Sequence, residues 1–600
     1  MTSGEGPQSI CAWGAVLTTE GARFRIWAPS QQQVRLRLQG QDHAMERSDD
    51  GWFDLTLPAE AGAEYGFVLD DGRVVADPAS RQQSGDVHGL SLVTDPAYHW
   101  QCDWRGRPWH ESVILELHVG TFTPEGTFRA AIDRLADVAA SGFTMVELMP
   151  VAQFAGNRGW GYDGVLLYAP HPAYGTPDDL RAFVDAAHGQ GLSVVLDVVY
   201  NHFGPEGNYL PSYAPNFFDE KRHTPWGNAI EYHRPPVRRF FIDNAVYWLR
   251  DFRFDGLRID AADHIRDPDS DPEFLIDMVR TIRQTLPGRE IHLTTEDNRN
   301  ITHLHERGQG GEVELYTGEW NDDLHNVAHV IATGESEAYY KDFVEDHWTK
   351  YARALAEGFA YQGEPSPFDG GKPRGAPSAH LPPVCFVDFL QNHDQIGNRA
   401  FGERLTTLAP ERRLRLLMAM LLLSPHIPLM FMGEDWGETR PFTFFTDFEG
   451  ELADAVREGR RKEFEHFAAF QNLDLAATVP DPNSKGTFES SRIDWMHRDT
   501  ARGTDWLDFT RSLLQVRHAE IVPHLARAPG HGGKVLMASE DKVAVDWQLD
   551  GAILRLRANF DDREAALPAA DGRVIYATTG ASDVGAMPPG TVIATLQETT

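Results

Sequence analysis

Several short apolar stretches of this sequence end in a carboxylate or a histidine. "SVVLDVVYNH" carries Asp197 and then Asn201-His202, "GLRID" closes on Arg258 and Asp260, and "IHLTTE" closes on Glu296. "FLQNHD" ends in His393-Asp394, and "IPLMFMGED" in Glu434-Asp435. Side chains two apart on a strand share a face, so Arg258 and Asp260 point the same way. A close cation lowers a carboxyl pKa, so Asp260 should be ionised, a nucleophile or an electrostatic stabiliser. If Glu296 lies between Asp260 and Asp394, two negative neighbours raise its pKa and leave it protonated as a general acid. A nucleophilic carboxylate beside a protonated one is the equipment of a retaining glycosidase, which sets the pair about 5–5.5 Å apart.

Aromatic residues flank these positions. "NRGWGYDG" places Trp160 and Tyr162 after one apolar run, and "GEWNDD" places Glu319, Trp320, Asn321, Asp322 and Asp323 after another. Flat apolar faces among amides and carboxylates suit sugar rings, although core packing is an equally ordinary use of such rings.

The carboxylates need a scaffold that gathers them. From Val113 onward, apolar runs alternate with amphipathic helices: "SVILELHV", "FTMVELMP", "LSVVLDVVY", "FDGL", "EIHLTTED", "EVELYTGEW", "VCFVDFLQNHD" and "IPLMFMGEDW". Eight strands with intervening helices predict a closed (β/α)8 barrel, whose active sites lie at the C-terminal strand ends. One helix is expected from a Thr127 cap to a Gly142 stop, and another from a Thr176 cap followed by Pro177. The first residues read as short alternating strands separated by Asp-Gly turns, a β-sandwich pattern, and the chain returns to alternation near its end. The reading is a multidomain α/β chain: 1–100 an N-terminal β-sandwich, 101–530 the catalytic barrel, and 531–600 a C-terminal β domain. The Pro/Gly-rich Gly363–Pro383 stretch is read as a long loop inside the barrel.

The totals narrow the function classes. The 600 residues carry a formal charge of −34, which disfavours nucleic acid and anionic membranes and leaves a neutral ligand as the best fit. Three cysteines, Cys11, Cys102 and Cys385, are too few and too scattered for a disulfide framework or a zinc site. The opening "MTSGEGPQSI" has no signal-peptide pattern, and the apolar Leu416–Met432 run is broken by Pro425 and Pro428. A cytoplasmic protein is expected. "DPDSDPEF" offers acids at alternate positions, but Pro272 stands where a calcium loop needs glycine, so a solvated acidic loop is the reading. The basic pair in "REGRRKEF" reads as a helix surface. No cofactor and no required metal are expected.

The four stretches "DVVYNH", "GLRIDAADH", "TTED" and "FLQNHD", in this order, resemble the α-amylase superfamily of glycoside hydrolases. That resemblance implies Asp260 as nucleophile, Glu296 as acid/base and Asp394 as transition-state stabiliser. Arg258, His202, His393 and Tyr162 would contact the sugar at the cleaved bond. It also implies that the leading β module is similar to the starch-binding-like modules of branching and debranching members. "EDNRN", "EWNDDLHN" and "GWGYDGVLLYAPHPAYGTPDDL" are similar to the subgroup that cleaves the α-1,4 bond beside a terminal trehalose. Its substrates would be maltooligosyltrehalose and malto-oligosaccharides, with trehalose as product. Trp160, Asp263, His264, Glu319 to Asp323 and Gln395 would complete the substrate contacts, with Trp320 to Asp323, Asp263 and His264 on the leaving-group side, reading the trehalose end. Asp263 stands where many α-amylases carry lysine, and Asn201 matches one position of a calcium site found in some members. A glycogen branching enzyme is the nearest rival. A non-catalytic glucan-binding protein is the alternative of a different class.

Overall fold

The computed structural model describes residues 13–464, 478–578 and 586–599. Cys11 and the opening stretch lie outside the described residues; Cys102 and Cys385 are free thiols.

At the centre, eight parallel strands close into a barrel: β1 Ile114–Leu117, β2 Met145–Leu148, β3 Ser193–Val198, β4 Gly256–Ile259, β5 His292–Thr295, β6 Gly318–Trp320, β7 Phe386–Asp388 and β8 Ile427–Phe431. The period of two sorts their side chains. Ile114, Met145, Val195, Val387, Ile427 and Leu429 form an apolar plug with Trp109 and Trp320. Two residues further along the same face come Glu116, Glu147 and Asp197, all buried. The opposite face, with Leu115, Val146, Leu196, Leu257 and Leu293, joins the main core that the surrounding helices complete. The barrel is thus apolar at its base and charged toward its C-terminal mouth.

Local signals set most of the helix ends. Thr176 and Asp179 form a capping box at the start of Pro177–Gly189. Thr127 caps a helix further upstream at Phe128, and Gly142, at φ 105°, ends Leu135–Ser141 in the left-handed region. The expected single helix between them is instead two, Phe128–Ile132 and Leu135–Ser141. β4 begins two residues later than Phe254 and runs through Arg258. β6 is confined to the last three residues of "EVELYTGEW"; Val313 pairs instead with Arg307 in an isolated bridge. The Gly363–Pro383 stretch lies between β6 and β7 and folds a small hairpin, Glu364–Ser366 with Lys372–Arg374.

Two antiparallel sheets precede the barrel. Gly21–Trp27 and Trp52–Leu57 pair in one, Arg35–Leu38 and Glu64–Val68 in the other. Phe24 meets Tyr65 across them at 4.9 Å. After the barrel, a five-stranded antiparallel sheet spans Gly533–Ser539 to Thr591–Glu598. The Trp547 indole of that sheet donates to the Leu355 carbonyl at 3.0 Å, anchoring it on a barrel helix. Among the described residues, no helix is long and apolar enough to cross a membrane.

Two surface readings are corrected. Asp267, expected in a solvated loop, is buried and paired with Arg238. Arg460, expected on a helix surface, is buried and donates to the Gly397 carbonyl at 2.5 Å. In each case the guanidinium carbon lies over an aromatic ring, Phe274 for Arg238 and Phe444 for Arg460.

Candidate active site

Arg258 is the hub of the barrel mouth, only 1% exposed. Its Nη1 donates to Asp197 Oδ2 at 2.6 Å and to Asp260 Oδ1 at 2.9 Å, and its Nη2 to Glu296 Oε2 at 2.6 Å. One planar fork therefore links the ends of three adjacent strands. Its guanidinium carbon lies 4.1 Å from the centre of the Trp320 ring, which supports it from below. Burial works against the charged form, but the surrounding anions hold the guanidinium well above its ordinary pKa.

Each carboxylate has its own setting. Asn201 Nδ2 donates to the Asp260 carbonyl at 2.9 Å and to Asp260 Oδ2 at 2.8 Å, so both carboxylate oxygens are fixed. Ala261 follows in a left-handed conformation, φ 40°, unusual for a residue with a Cβ. That turn aims its amide at Glu296 Oε2, 3.0 Å away. Burial pushes the Glu296 carboxyl well above its ordinary pKa; Arg258 opposes this, and Asp260, Asp322 and Asp394 add to it. The direction is the one expected from its acidic neighbours, but burial is the larger cause. Asn398 Nδ2 holds Asp394 Oδ1 at 2.6 Å. Below them, burial pushes Asp197 up to about 6 in spite of Arg258, while Tyr162 Oη donates to it at 2.6 Å. Burial, helped by Glu116 and Asp197, keeps Glu147 well above the carboxylate range. His393 donates from Nδ1 to Glu116; burial opposes its charge, but Glu116 prevails and raises its pKa.

The residues singled out from sequence divide by depth. Glu296, Asp394, Asp322, Gln395, Tyr162, Asp263 and His264 are half-buried, whereas Asp260, His202, Arg258 and His393 are buried. Tyr162 stacks on His393 at 5.1 Å. Trp160 and Trp320, expected as sugar platforms, are 5% and 2% exposed. Trp160 lies stacked on Phe442 with its indole bonded to the Thr443 carbonyl at 3.0 Å, so both rings brace the site from beneath. Three further contacts expected with substrate are turned into the scaffold. Asn321 caps the helix Asp322–Thr333 and bonds Asp388 at 2.8 Å. Asp323, fully buried, takes Asn300, Arg374 and the Tyr361 amide. Glu319, also buried, takes His305 and Thr295. Glu319, next to Trp320 on β6, takes the opposite face by strand alternation, whereas the strand-to-helix transition after Trp320 sets the faces of Asn321 and Asp323.

The chief omission of the sequence reading is Trp226. It sits on the turn between Phe218–Thr224 and Gly227–Ile230, in the β3–β4 connection. It is 47% exposed, stacked on His202 at 4.3 Å and edge-on to His264 at 5.3 Å. Asp263, half-buried beside His264, keeps Oδ1 without a protein partner. "HTPWGN" reads as a tight turn, and nothing local tells that its tip folds over the barrel. A cavity of about 470 Å³ opens on the Asp394 side, with Tyr339, Asn398, Arg399 and Phe401 in its wall.

A polar mouth on a parallel barrel, with acids at the ends of successive strands, defines a glycoside hydrolase of the α-amylase type. The description "Alpha amylase, catalytic domain" matches residues 83–226, and "Domain of unknown function (DUF3459)" matches 528–594. A malto-oligosyltrehalose trehalohydrolase of Deinococcus radiodurans is 42% identical over 86% of this chain and 85% of its own length. One of Rhizobium sp. is 38% identical over 94% and 96%. A branching enzyme of Streptomyces avermitilis reaches 34% over 52% of this chain and 60% of its own. A crystal structure from Salmonella typhimurium, provisionally named an alpha amylase, superposes with a TM-score of 0.94 at 53% identity, covering 98% of this chain and all of that one. The chain belongs to the malto-oligosyltrehalose trehalohydrolase family.

Proposed function

We propose that the chain hydrolyses the α-1,4-glucosidic bond beside the terminal trehalose of maltooligosyltrehalose, releasing trehalose and a malto-oligosaccharide with retained anomeric configuration. Asp260 attacks the anomeric carbon and forms a glycosyl ester, while Glu296 gives its proton to the departing trehalose oxygen. Glu296, now ionised, takes a proton from water, whose oxygen breaks the ester and frees Asp260. Asp394 accepts hydrogen bonds from the ring hydroxyls and binds more tightly as the sugar flattens toward an oxocarbenium ion.

The observation that carries this reading is the Arg258 fork, which holds Asp260 and Glu296 from the two ends of one guanidinium. That anchoring favours the short carboxylate spacing of retention, about 5–5.5 Å, over the wider gap inversion needs for water. The raised pKa of Glu296 supports its role as acid. We assign Trp226, His264 and Asp263 to the leaving-group side, and the Tyr339 cavity to further glucose units. The family membership favours the trehalose-terminated substrate over plain glucans, and the two free thiols suit a reducing cytoplasm.

The test is product analysis on maltotriosyltrehalose and on maltopentaose. Trehalose and α-anomeric maltotriose should appear from the first, with the second attacked far more slowly. Equal attack on both would reduce the protein to a general amylase, and new α-1,6 linkages would make it a branching enzyme. Asp260→Asn should abolish turnover in either case.

A further inference from the structure

Four consecutive barrel strands each bring one carboxyl to the mouth. Asp260 follows β4, Glu296 follows β5, Asp322 follows β6 and Asp394 follows β7, in the order in which these strands adjoin. Three of them have roles in the reaction proposed above. Asp322 has none, although it fills the gap between the acid and the third carboxylate.

Its setting is not that of a structural cap. The cap of its helix is Asn321, and Asp322 is the first residue inside. It is half-buried, and among the described residues its side chain takes a single hydrogen bond, Gln395 Nε2 to Oδ1 at 3.2 Å. The neighbouring Asp323, by contrast, is fully enclosed by protein donors. Asp322 therefore keeps an oxygen free at the mouth, beside groups of its own charge.

We propose that Asp322 is a positioning residue for the general acid: its negative charge, set between Glu296 and Asp394, keeps the proton on Glu296 until the glycosidic oxygen takes it. This rests on the assignment of Glu296 as acid. The charged groups facing Glu296 are Arg258 from β4, which opposes proton retention, and Asp260, Asp322 and Asp394, which favour it. Those facing Asp322 are Asp394 and Asp323, with Arg374 and Arg258 opposing; Arg374 is itself tied to Asp323 at 2.7 Å. Burial, then Asp394, pushes Asp322 up to about 7, so it ionises as the pH passes neutrality. Asp322 thus carries its charge above neutral pH, and the two carboxyls titrate as a linked set.

The experiment is kcat/KM against pH on maltotriosyltrehalose for the wild type, Asp322→Asn and Asp322→Glu. In Asp322→Asn, which preserves the oxygen facing Gln395, the alkaline limb should move down by about one pH unit. Asp322→Glu should restore it. On an α-glucosyl fluoride, whose leaving group needs no proton, the alkaline sides of wild type and Asp322→Asn should coincide. An alkaline limb that stays in place in Asp322→Asn, with or without a uniform loss of rate, overturns the proposal. Should the asparagine protein fail to fold, Asp322→Ser is read by the same criterion. If the wild type releases no trehalose, the substrate reading fails instead, and the limb is measured on whichever α-1,4-glucan it hydrolyses.

Discussion

Arg258→Lys is the substitution that most directly tests how the mouth is built. Lysine keeps the charge but replaces a planar fork by a single ammonium. The fork makes three charge-assisted hydrogen bonds, to Asp197, Asp260 and Glu296. Bonds of this kind contribute about 1.5–3 kcal/mol each. An ammonium at one point cannot reach both ends of the former guanidinium, so at least one carboxylate loses its donor in a buried site. Asp197 lies deepest and should retain the ammonium, which leaves Asp260 or Glu296 free to rotate. The loss of alignment should then cost the transition state about 2–4 kcal/mol, a fall in kcat/KM of roughly 30- to 1000-fold.

The fold should tolerate the change better than the chemistry does. Lysine keeps a cation within reach of the Trp320 ring and of Asp197, so the melting temperature should drop by only a few degrees. Steady-state kinetics on maltotriosyltrehalose and a thermal melt on the same preparation give both numbers. A lysine protein within about threefold of wild-type kcat/KM would refute the argument. It would mean that Asp260 and Glu296 are placed by Asn201 and the Ala261 amide without help from the fork.

Two further predictions follow from residues at different depths. Trp226→Ala removes a largely exposed ring, so stability should change by less than about 0.5 kcal/mol. Loss of its flat face should raise KM roughly 5- to 30-fold, about 1–2 kcal/mol of sugar stacking, and an unchanged KM would remove Trp226 from the leaving-group side. Glu434, beyond β8, is fully buried, and burial pushes its carboxyl from 4.5 up to about 8. The folded protein therefore holds this proton more tightly than the unfolded chain, so its stabilising effect is complete below about pH 4.5 and fades as the pH rises toward 8. Glu434→Gln has no such proton to lose, and the drop in melting temperature between pH 5 and pH 8 should shrink; an equal drop in both proteins sinks the assignment.

The sequence made much of this architecture legible because the relevant signals are local. Eight apolar runs, their caps and the acids at their ends sit within a few residues of one another, and a parallel barrel has one mouth at which they must meet. What stayed hidden depends on parity and on distant contacts. Asp322 and Asp323 are adjacent, identical in type and equally plausible on paper, yet one faces the cleft and the other is sealed inside. Strand alternation assigns faces as far as Trp320; once Asn321 caps a helix, successive residues turn by about 100°, and the face of each depends on where the helix starts. Asp323 is also claimed by Arg374, more than fifty residues away on a hairpin that no pattern announced. Trp226 is the reverse case, a residue in an ordinary turn whose importance comes only from the tip folding over His202. Position along a strand can therefore nominate a carboxylate for the mouth, but whether that carboxylate works there is decided by the donors the rest of the chain brings to it. Asp323 has both carboxylate oxygens bound by protein donors and acts as scaffold, whereas Asp322 has one hydrogen bond among the described residues and remains available to the chemistry.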